Sequence, residues 1–395
     1  MLKRIIGSGL INIVGGIPEY YQDSAIYWSQ WQTHLDQVIG LNSGLAYDSN
    51  LLTTYGLDIN GQGTGKWSDL VVGKDGKIYG MPWNATTILI IDPVAGTASF
   101  NDFGLDLSDT GKWAGGVLGK DGKIYGMPLN STDILIIDTD TNTATRSNLG
   151  ASLTGTVKWL GGALGASGKI YAAPRNANTV LIIDTDSGTA TTTNFGLSGL
   201  FASNKWFGAI AAPDGKVYFI PYDFAKVLVI DTSNDTAVLD DFGLDLSDAA
   251  KWFGGVVGSD GKVYAIPYDS NEMLIIDVNA GTAVRSALGG TLNGMSKWIG
   301  GALAPDGNIY GFPDTSSDIL RINISAGTAD RIVLSDALVG ISGDKNFGGA
   351  LGSDMKMYGC PHGGNMDAVH IMYYNGTFVK DFDVKVTQAA HWNVM

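Results

Sequence analysis

The sequence predicts an all-β fold built from tandem four-stranded units, and three observations support this prediction. A short motif that starts with lysine recurs every 46 to 48 residues along most of the chain. Each unit contains four short β-type runs separated by turn sequences. No unit shows the 3.6-residue periodicity of a helix. This self-similarity overrides the two or three separate domains that 395 residues alone would suggest.

The repeat starts seven times between Lys66 and the C-terminus. Tryptophan follows the lysine in six copies, and Asn346 follows it in the seventh. The starts are Lys66-Trp67, Lys112-Trp113, Lys158-Trp159, Lys205-Trp206, Lys251-Trp252, Lys297-Trp298 and Lys345-Asn346.

The unit that begins at Lys251 shows the elements in order. Residues 254–258 form a first run, and Asp260-Gly261 is the strongest short-range signal for a hairpin turn. Residues 262–266 form a second run that ends at Pro267, because proline cannot donate to a sheet ladder. Residues 273–277 and 282–288 form the third and fourth runs, with a turn at Gly281 between them.

Four strands in about 45 residues are typical of a β-propeller blade. A parallel β-helix is the structural alternative, but its coils would not need an Asp-Gly hairpin in most units. The sequence therefore predicts a seven-bladed β-propeller over residues 49–395. It resembles WD40 and kelch propellers in architecture only, since neither family's repeat motif is present.

Both ends of the repeat region contain a candidate for the last outer strand. Residues 49–58 (SNLLTTYGLD) and 380–392 (KDFDVKVTQAAHW) each resemble the fourth-run segment DDFGLDLSDAAKW at 240–252. The pattern does not decide which end completes the final blade.

Residues 1–48 lack the repeat and form a separate N-terminal segment. Lys3 and Arg4 precede an apolar stretch, but Gly7, Ser8, Gly9 and Asn12 make it a poor signal peptide. From Pro18 onwards, apolar side chains at spacings of three and four predict one amphipathic helix: Tyr21, Ala25, Trp28, Leu35 and Val38 or Ile39, with Trp31 beside them. This face either packs across the propeller or docks on another chain or a second copy. Membrane-surface insertion is disfavoured, because the polar face has no lysine or arginine.

Composition limits the possible functions. The net charge of −14 argues against nucleic acid as a partner. One cysteine, Cys360, and four histidines predict neither a disulfide framework nor a metal site, and no cofactor is expected. No apolar run reaches the length of a membrane-spanning helix.

A meander places the Lys-Trp pairs and the residues after the second-run proline on one face of the disc. Each tryptophan is either wedged between blades or is a stacking platform for sugars. The seven lysines either pair with acids such as Asp106, Asp109, Asp245 and Asp248 or form a ring that attracts anions.

The position after the second-run proline is the best candidate for a binding surface. It holds large and varied side chains within a nearly constant frame: Trp83, Leu129, Arg175, Tyr222, Tyr268, Asp314 and His362. Enrichment in tryptophan, tyrosine and arginine is typical of recognition surfaces, although unselected loop variation is the alternative.

Other motifs are weaker. Residues 138–142 imitate the start of a calcium loop but lack its later ligands, so a turn is expected. Five Asn-x-Ser/Thr matches arise easily by chance in such a composition. The seventh unit, with Cys360, His362 and His370, deviates as terminal repeats often do. No catalytic triad, carboxylate pair or phosphate loop is evident.

The leading hypothesis is a non-enzymatic recognition and adhesion module. A propeller displayed through an N-terminal segment resembles, in layout, a phage fibre, spike or receptor-binding protein on the virion surface. The resemblance implies a virion component or a second copy as partner of Tyr21, Trp28, Trp31 and Leu35, and a host glycan or protein on the propeller face. A lectin-like or scaffold propeller outside a virus and, less favoured, a propeller lyase or hydrolase are the alternatives.

Overall fold

The computed structural model describes residues 3–6, 9–12, 53–59, 64–333, 343–363 and 368–373. All regular elements within these ranges are β-strands. The predicted helix over residues 18–39 and the C-terminal candidate strand over 380–392 lie outside the described residues. An antiparallel pair near the N-terminus consists of β1 (Lys3–Ile6) and β2 (Gly9–Asn12).

Six blades are each built from four consecutive antiparallel strands. A further strand, β3 (Thr53–Asp58), precedes them. Blade 1 contains β4 (Trp67–Val72), β5 (Ile78–Pro82), β6 (Ile88–Asp92) and β7 (Thr97–Asn101). Blade 2 contains β8 (Trp113–Leu118), β9 (Lys123–Pro128), β10 (Ile134–Asp138) and β11 (Thr143–Ser147). Blade 3 contains β12 (Trp159–Leu164), β13 (Lys169–Pro174), β14 (Val180–Asp184) and β15 (Thr189–Thr193). Blade 4 contains β16 (Trp206–Ala211), β17 (Lys216–Pro221), β18 (Val227–Asp231) and β19 (Thr236–Asp240). Blade 5 contains β20 (Trp252–Val257), β21 (Val263–Pro267), β22 (Met273–Asp277) and β23 (Thr282–Ser286). Blade 6 contains β24 (Trp298–Leu303), β25 (Asn308–Pro313), β26 (Asp318–Asn323) and β27 (Thr328–Val333).

The seventh unit is where the structure corrects the prediction of seven blades to six, because this unit does not complete a four-stranded blade by itself. Its described strands are β28 (Asn346–Leu351), β29 (Met357–Pro361) and β30 (Ala368–Tyr373). The fourth position is taken by β3, which pairs antiparallel with β30 from Thr53 opposite Tyr373 to Asp58 opposite Ala368. This composite sheet (β28, β29, β30, β3) therefore joins the two ends of the repeat region.

The first strands of the units form a closed ring. β4, β8, β12, β16, β20, β24 and β28 each contact the next, and β28 contacts β4 again. Because each is the end strand of its sheet, these strands surround a common axis, and the fourth strand of each sheet lies at the outer edge of the disc. Loops that are distant along the chain consequently meet on one face of the disc.

Turn chemistry explains the local hairpins. In blade 5, Gly261 adopts a φ of 77°, which glycine tolerates without a steric penalty. The Asp260 carboxylate accepts the Lys262 N–H at 3.2 Å and the Tyr264 hydroxyl at 2.9 Å. The turn is thereby fixed to the strand that follows it.

The hydrophobic core lies between blades. Each of the six tryptophans is at most 2% exposed. One cluster joins Val71, Tyr79 and Met81 of blade 1 to Trp113 and Leu135 of blade 2, and the other boundaries repeat this arrangement. At the boundary of blade 1 with the composite sheet, Trp67 packs with Tyr358, Cys360 and Val369. The ring is closed by the same kind of packing throughout.

Candidate functional site

A β-bulge at the start of every inner strand directs side chains towards the axis. In blade 1, Trp67 pairs with Pro82 and Leu70 with Gly80, so residues 68 and 69 lie opposite the single residue 81. The same register shift occurs in the other five blades and in the composite sheet. A bulge bends its strand and re-aims the side chains within it.

The second strand of each unit ends at a proline, which we call the B-strand proline. The backbone of the residue after it connects two neighbouring units. The Trp83 N–H donates to Lys66 O at 2.9 Å, and Trp83 O accepts the Lys112 N–H at 3.0 Å. Equivalent pairs of bonds flank Leu129, Arg175, Tyr222, Tyr268 and Asp314. Since both backbone groups are held by lysine residues of the frame, the side chain at this position is free to vary.

These two sets of residues form what we call the axial cup. Its rim consists of the residues after the B-strand prolines: Trp83, Leu129, Arg175, Tyr222, Tyr268, Asp314 and His362. Its floor consists of the residues that follow each unit's second residue: Ser68, Ala114, Leu160, Phe207, Phe253, Ile299 and Phe347. One hydrophobic cluster contains members from all seven units, which is possible only at the axis.

Aromatic rings span the cup. Phe207 stacks on Tyr222 with centroids 3.8 Å apart, and Tyr222 lies 5.7 Å from Tyr268. Phe253 and Phe347 meet edge-to-face at 5.1 Å. On the other side, the His362 ring is 5.0 Å from Phe347 and 5.6 Å from Trp83. The aromatic contacts thus continue from blade 4 through blade 5 to the composite sheet and blade 1.

The five rim residues Trp83, Arg175, Tyr222, Tyr268 and His362 are partly exposed, whereas Leu129 and Asp314 are buried. The Arg175 guanidinium lies 4.7 Å from the Phe207 ring centroid and donates from Nε to Asn204 Oδ1 at 3.1 Å. The accessible rim therefore presents four aromatic rings and one cation.

Burial disfavours the charged forms of the titratable side chains in the cup. Burial raises the pKa of the Asp314 carboxyl to about 7, the nearby Asp344 adds to this, and a hydrogen bond from the Tyr268 hydroxyl counteracts it. Burial lowers the pKa of His362, whose Nδ1 lies 2.8 Å from Trp67 O. Burial also raises the pKa of Tyr222 to about 12. The cup thus contains a carboxyl group and an imidazole that both favour their neutral forms.

The repeated lysines and tryptophans lie beneath this surface. All seven lysines are at most 3% exposed, and their ammonium groups donate to backbone carbonyls of the adjacent loops. The indole N–H of each tryptophan donates to a carbonyl twenty residues later, as from Trp67 to Thr87 O at 2.8 Å. This burial leaves neither an exposed cationic ring nor a row of open indole faces.

The remaining sequence candidates lie elsewhere. Tyr21, Trp28, Trp31 and Leu35 are outside the described residues. Among the residues that the structure describes, no cluster of potential metal ligands is found. Cys360 is buried and free.

Asp69 is a functional candidate in the inner ring that the sequence analysis missed. Its φ is 85°, and the six equivalent positions are glycines with φ between 63° and 87°: Gly115, Gly161, Gly208, Gly254, Gly300 and Gly348. The carboxylate accepts the Leu70 N–H at 2.9 Å and bonds to the Gly116 N–H. Burial raises its pKa to about 7.

Alignment of the repeats contains the signals that were missed. Lys66-Trp67-Ser68-Asp69 has aspartate where the other copies have glycine. The position before it, which supplies the cup floor, varies among serine, alanine, leucine, isoleucine and phenylalanine. At both positions the residue type differs between units whose neighbouring residues are nearly constant.

No protein-family model and no curated protein match this chain. Several solved structures, however, have a similar fold. Virginiamycin B lyase from Staphylococcus aureus, as a catalytically inactive variant with quinupristin, superposes with a TM-score of 0.65 and 14% identity, covering 82% of this chain and 99% of the lyase. A streptogramin B lyase gives 0.62 and 13% identity, over 82% and 98% of the two chains. The extracellular domain of a hybrid two-component system from Bacteroides thetaiotaomicron gives 0.61 and 11%, over 82% and 40%.

At these identities the likeness shows the β-propeller fold alone. It overturns one conclusion of the sequence analysis: the chain was expected not to be an enzyme, yet lyases share this architecture along almost their whole length. Missing catalytic motifs are therefore no ground for excluding activity. None of the similar structures named here is a viral fibre. Within the described residues, no helix has the length and apolarity to cross a membrane.

Proposed function

We propose that this protein is a ligand-recognition propeller whose binding site is the axial cup. The observation that carries the proposal is the convergence of Trp83, Tyr222, Tyr268, Arg175 and His362 on one accessible rim over an apolar floor. Rigid aromatic rings supply contact area at a small cost in conformational entropy, and arginine supplies directed donors. The ligand class that fits is a compact ring-containing molecule with apolar faces and a hydrogen-bonding or anionic group.

Binding of two probe sets by the full chain tests this proposal. A glycan array tests saccharides, and quinupristin, the molecule present with the similar lyase, tests a second kind of ligand. The double variant Tyr222→Ala/Tyr268→Ala is expected to lose at least tenfold in affinity for any probe bound by the wild type. Phe201→Ala is the matched control, because Phe201 is an exposed aromatic residue (82%) outside the cup. Equal affinity of the double variant and the wild type would overturn the assignment.

Proton transfer within the cup is a second candidate function. It is supported by Asp314, a buried carboxyl near Tyr268 whose pKa of about 7 suits an acid or base at neutral pH. Mass spectrometry of a probe after incubation would detect turnover. Asp314→Asn should abolish turnover while retaining probe binding; unchanged turnover would exclude Asp314 as the acid or base.

Attachment through residues 1–48 remains a proposal that rests on sequence alone. A helical face containing Trp28 and Trp31 supports docking on a partner or self-association, and a virion surface is one location compatible with that layout. Light scattering of full-length protein with Trp28→Ala/Trp31→Ala should show a lower oligomeric state than the wild type if these residues mediate self-association. For a separate partner, particles from the source would contain the chain in stoichiometric amount.

A further inference from the structure

The fourth residue of each outer strand determines what covers the buried tryptophan of that blade. This position is equivalent in all six blades, because its partner on the third strand is always leucine, as in Leu135 opposite Arg146 and Leu181 opposite Thr192. The six residues are Phe100, Arg146, Thr192, Leu239, Arg285 and Arg331.

In five blades the tryptophan is covered by a large side chain. Phe100 stacks on Trp67 at 5.8 Å with an interplanar angle of 4°. Arg146, Arg285 and Arg331 place their guanidinium groups 5.3, 5.7 and 5.3 Å from the ring centroids of the tryptophans in their own blades. In blade 4, Leu239 packs against the cluster of Trp206, and Phe224 lies 4.8 Å from that indole.

Blade 3 differs because both covering positions hold small residues. Thr192 occupies the outer-strand position, and Ala177 takes the place that Phe224 has in blade 4. A groove of about 240 Å³ remains above Trp159, which lies in its wall. A groove of this size can hold several water molecules or a small polar molecule.

The lining of this groove is polar but uncharged at its surface. Ser152, Thr154, Thr156, Asn178 and Thr192 are exposed in it. Within the described part of the chain, no hydrogen bond occupies the hydroxyls of Ser152, Thr154 or Thr192. Lys158 also contributes to the wall, but it is 3% exposed and its ammonium group already donates to Leu129 O, Ser131 O and Gly155 O.

A corresponding groove in blade 5 has a charged lining. It is larger, about 690 Å³, but Arg285 crosses it between Asp248 at 2.9 Å and Glu272 at 3.2 Å. No indole lies in its wall. In contrast to the blade-5 groove, the blade-3 groove has unoccupied hydroxyl and amide groups and no charged side chain across it.

We propose that the blade-3 groove is a binding site for a neutral sugar ring. Hydroxyl and amide side chains match the alternating donors and acceptors of a pyranose. The site is separate from the axial cup. A ligand this small is expected to bind with a Kd of about 1 mM or weaker.

Saturation-transfer NMR with methyl glycosides of glucose, galactose, mannose and N-acetylglucosamine tests the site on the full chain. At least one glycoside should receive saturation from the wild type. Thr192→Arg, which introduces the residue of blades 2, 5 and 6, should remove that signal. Thr191→Arg is the matched control, since the neighbouring exposed residue points to the opposite side of the sheet, and it should preserve the signal.

Two outcomes would overturn the inference: no saturation of any of the four glycosides by the wild type, or an undiminished signal with Thr192→Arg. Circular dichroism of both arginine variants checks that the blade remains folded. Tyr222→Ala/Tyr268→Ala should keep the blade-3 signal, so failure of this site and failure of the axial cup are distinguishable.

Discussion

At the residue scale, the unusual side chains are those that interrupt a sevenfold pattern. Asp69 stands in a ring of glycines so tightly packed that a Cβ added to Gly115 would lie 2.7 Å from the Gly161 Cα. A non-glycine residue at φ 85° costs on the order of 1–2 kcal/mol, and burial of its charge adds to that cost. The sequence retains aspartate there at the expense of stability.

The pKa of Asp69 predicts a pH-dependent effect of one substitution. A carboxyl whose folded-state pKa is raised from 3.8 to about 7 loses stabilisation as pH rises across that window, because the unfolded chain ionises first. Asp69→Asn should therefore raise the free energy of unfolding at pH 8 by about 2 kcal/mol or more, and change it little at pH 4.

Urea unfolding of both proteins at pH 4, 6 and 8 measures this difference. Asp186→Asn, which removes only the charge of an exposed pair with Lys120, is the control for general charge effects. A variant that is less stable than the wild type at pH 8 would contradict the prediction.

Buried lysines should contribute more to stability than exposed ones. Lys297 donates to Tyr268 O, Ser270 O and Gly294 O at 2.7, 3.0 and 2.8 Å. Lys297→Met keeps the volume but leaves those carbonyls without their donor, so we expect a loss of about 2–4 kcal/mol. Lys120→Met removes only an exposed pair with Asp186 and should cost at most about 1 kcal/mol. Equal losses in denaturant unfolding would argue against the role assigned to Lys297.

At the element scale, local turn chemistry made the strands predictable. In the unit at Lys251 the third run, 273–277, coincides with β22, and the other boundaries moved by a few residues. The first run begins earlier, at Trp252, because Trp252 pairs with Pro267 ahead of the bulge. The bulge itself depends on long-range packing around the axis, which no local pattern encodes.

The origin of the last outer strand was unpredictable for the same reason. Segments at both ends resemble the fourth run equally well, and only pairing with β30 distinguishes them. The structure assigns the position to β3. The composition of the cup could be predicted in part. The rim was recognisable as a variable position, and alignment of the repeats also marks the floor and Asp69. The convergence of these residues at the axis depends on closure of the ring, which no local pattern encodes.

Proline substitutions in β3 test the composite sheet. Adjacent residues direct their N–H groups to opposite edges of a strand, so only one of Tyr55→Pro and Gly56→Pro removes an N–H that faces β30. That variant should melt at a distinctly lower temperature than the other. Hydrogen exchange should show the loss of protection beginning in β30. Identical melting of both variants and the wild type would show that β3 is dispensable.

At the scale of the whole molecule, closure predicts cooperative unfolding. An open array of repeats can lose its end units separately, whereas every inner strand here has two neighbours. The six buried tryptophans, one in each complete blade, report on the whole ring. We expect a single transition in denaturant, with tryptophan fluorescence and far-UV circular dichroism coincident; two resolved transitions would contradict a single cooperative unit.

The doubly anchored backbone after each B-strand proline has a consequence for engineering and for evolution. At each of these positions, the main-chain atoms hold neighbouring units together. The side chain is not needed for that bond and can interact with a molecule that approaches the axis. The five partly exposed positions, Trp83, Arg175, Tyr222, Tyr268 and His362, can be varied in parallel while the backbone hydrogen bonds between units are kept. The same scaffold could thereby acquire new targets through point mutations alone.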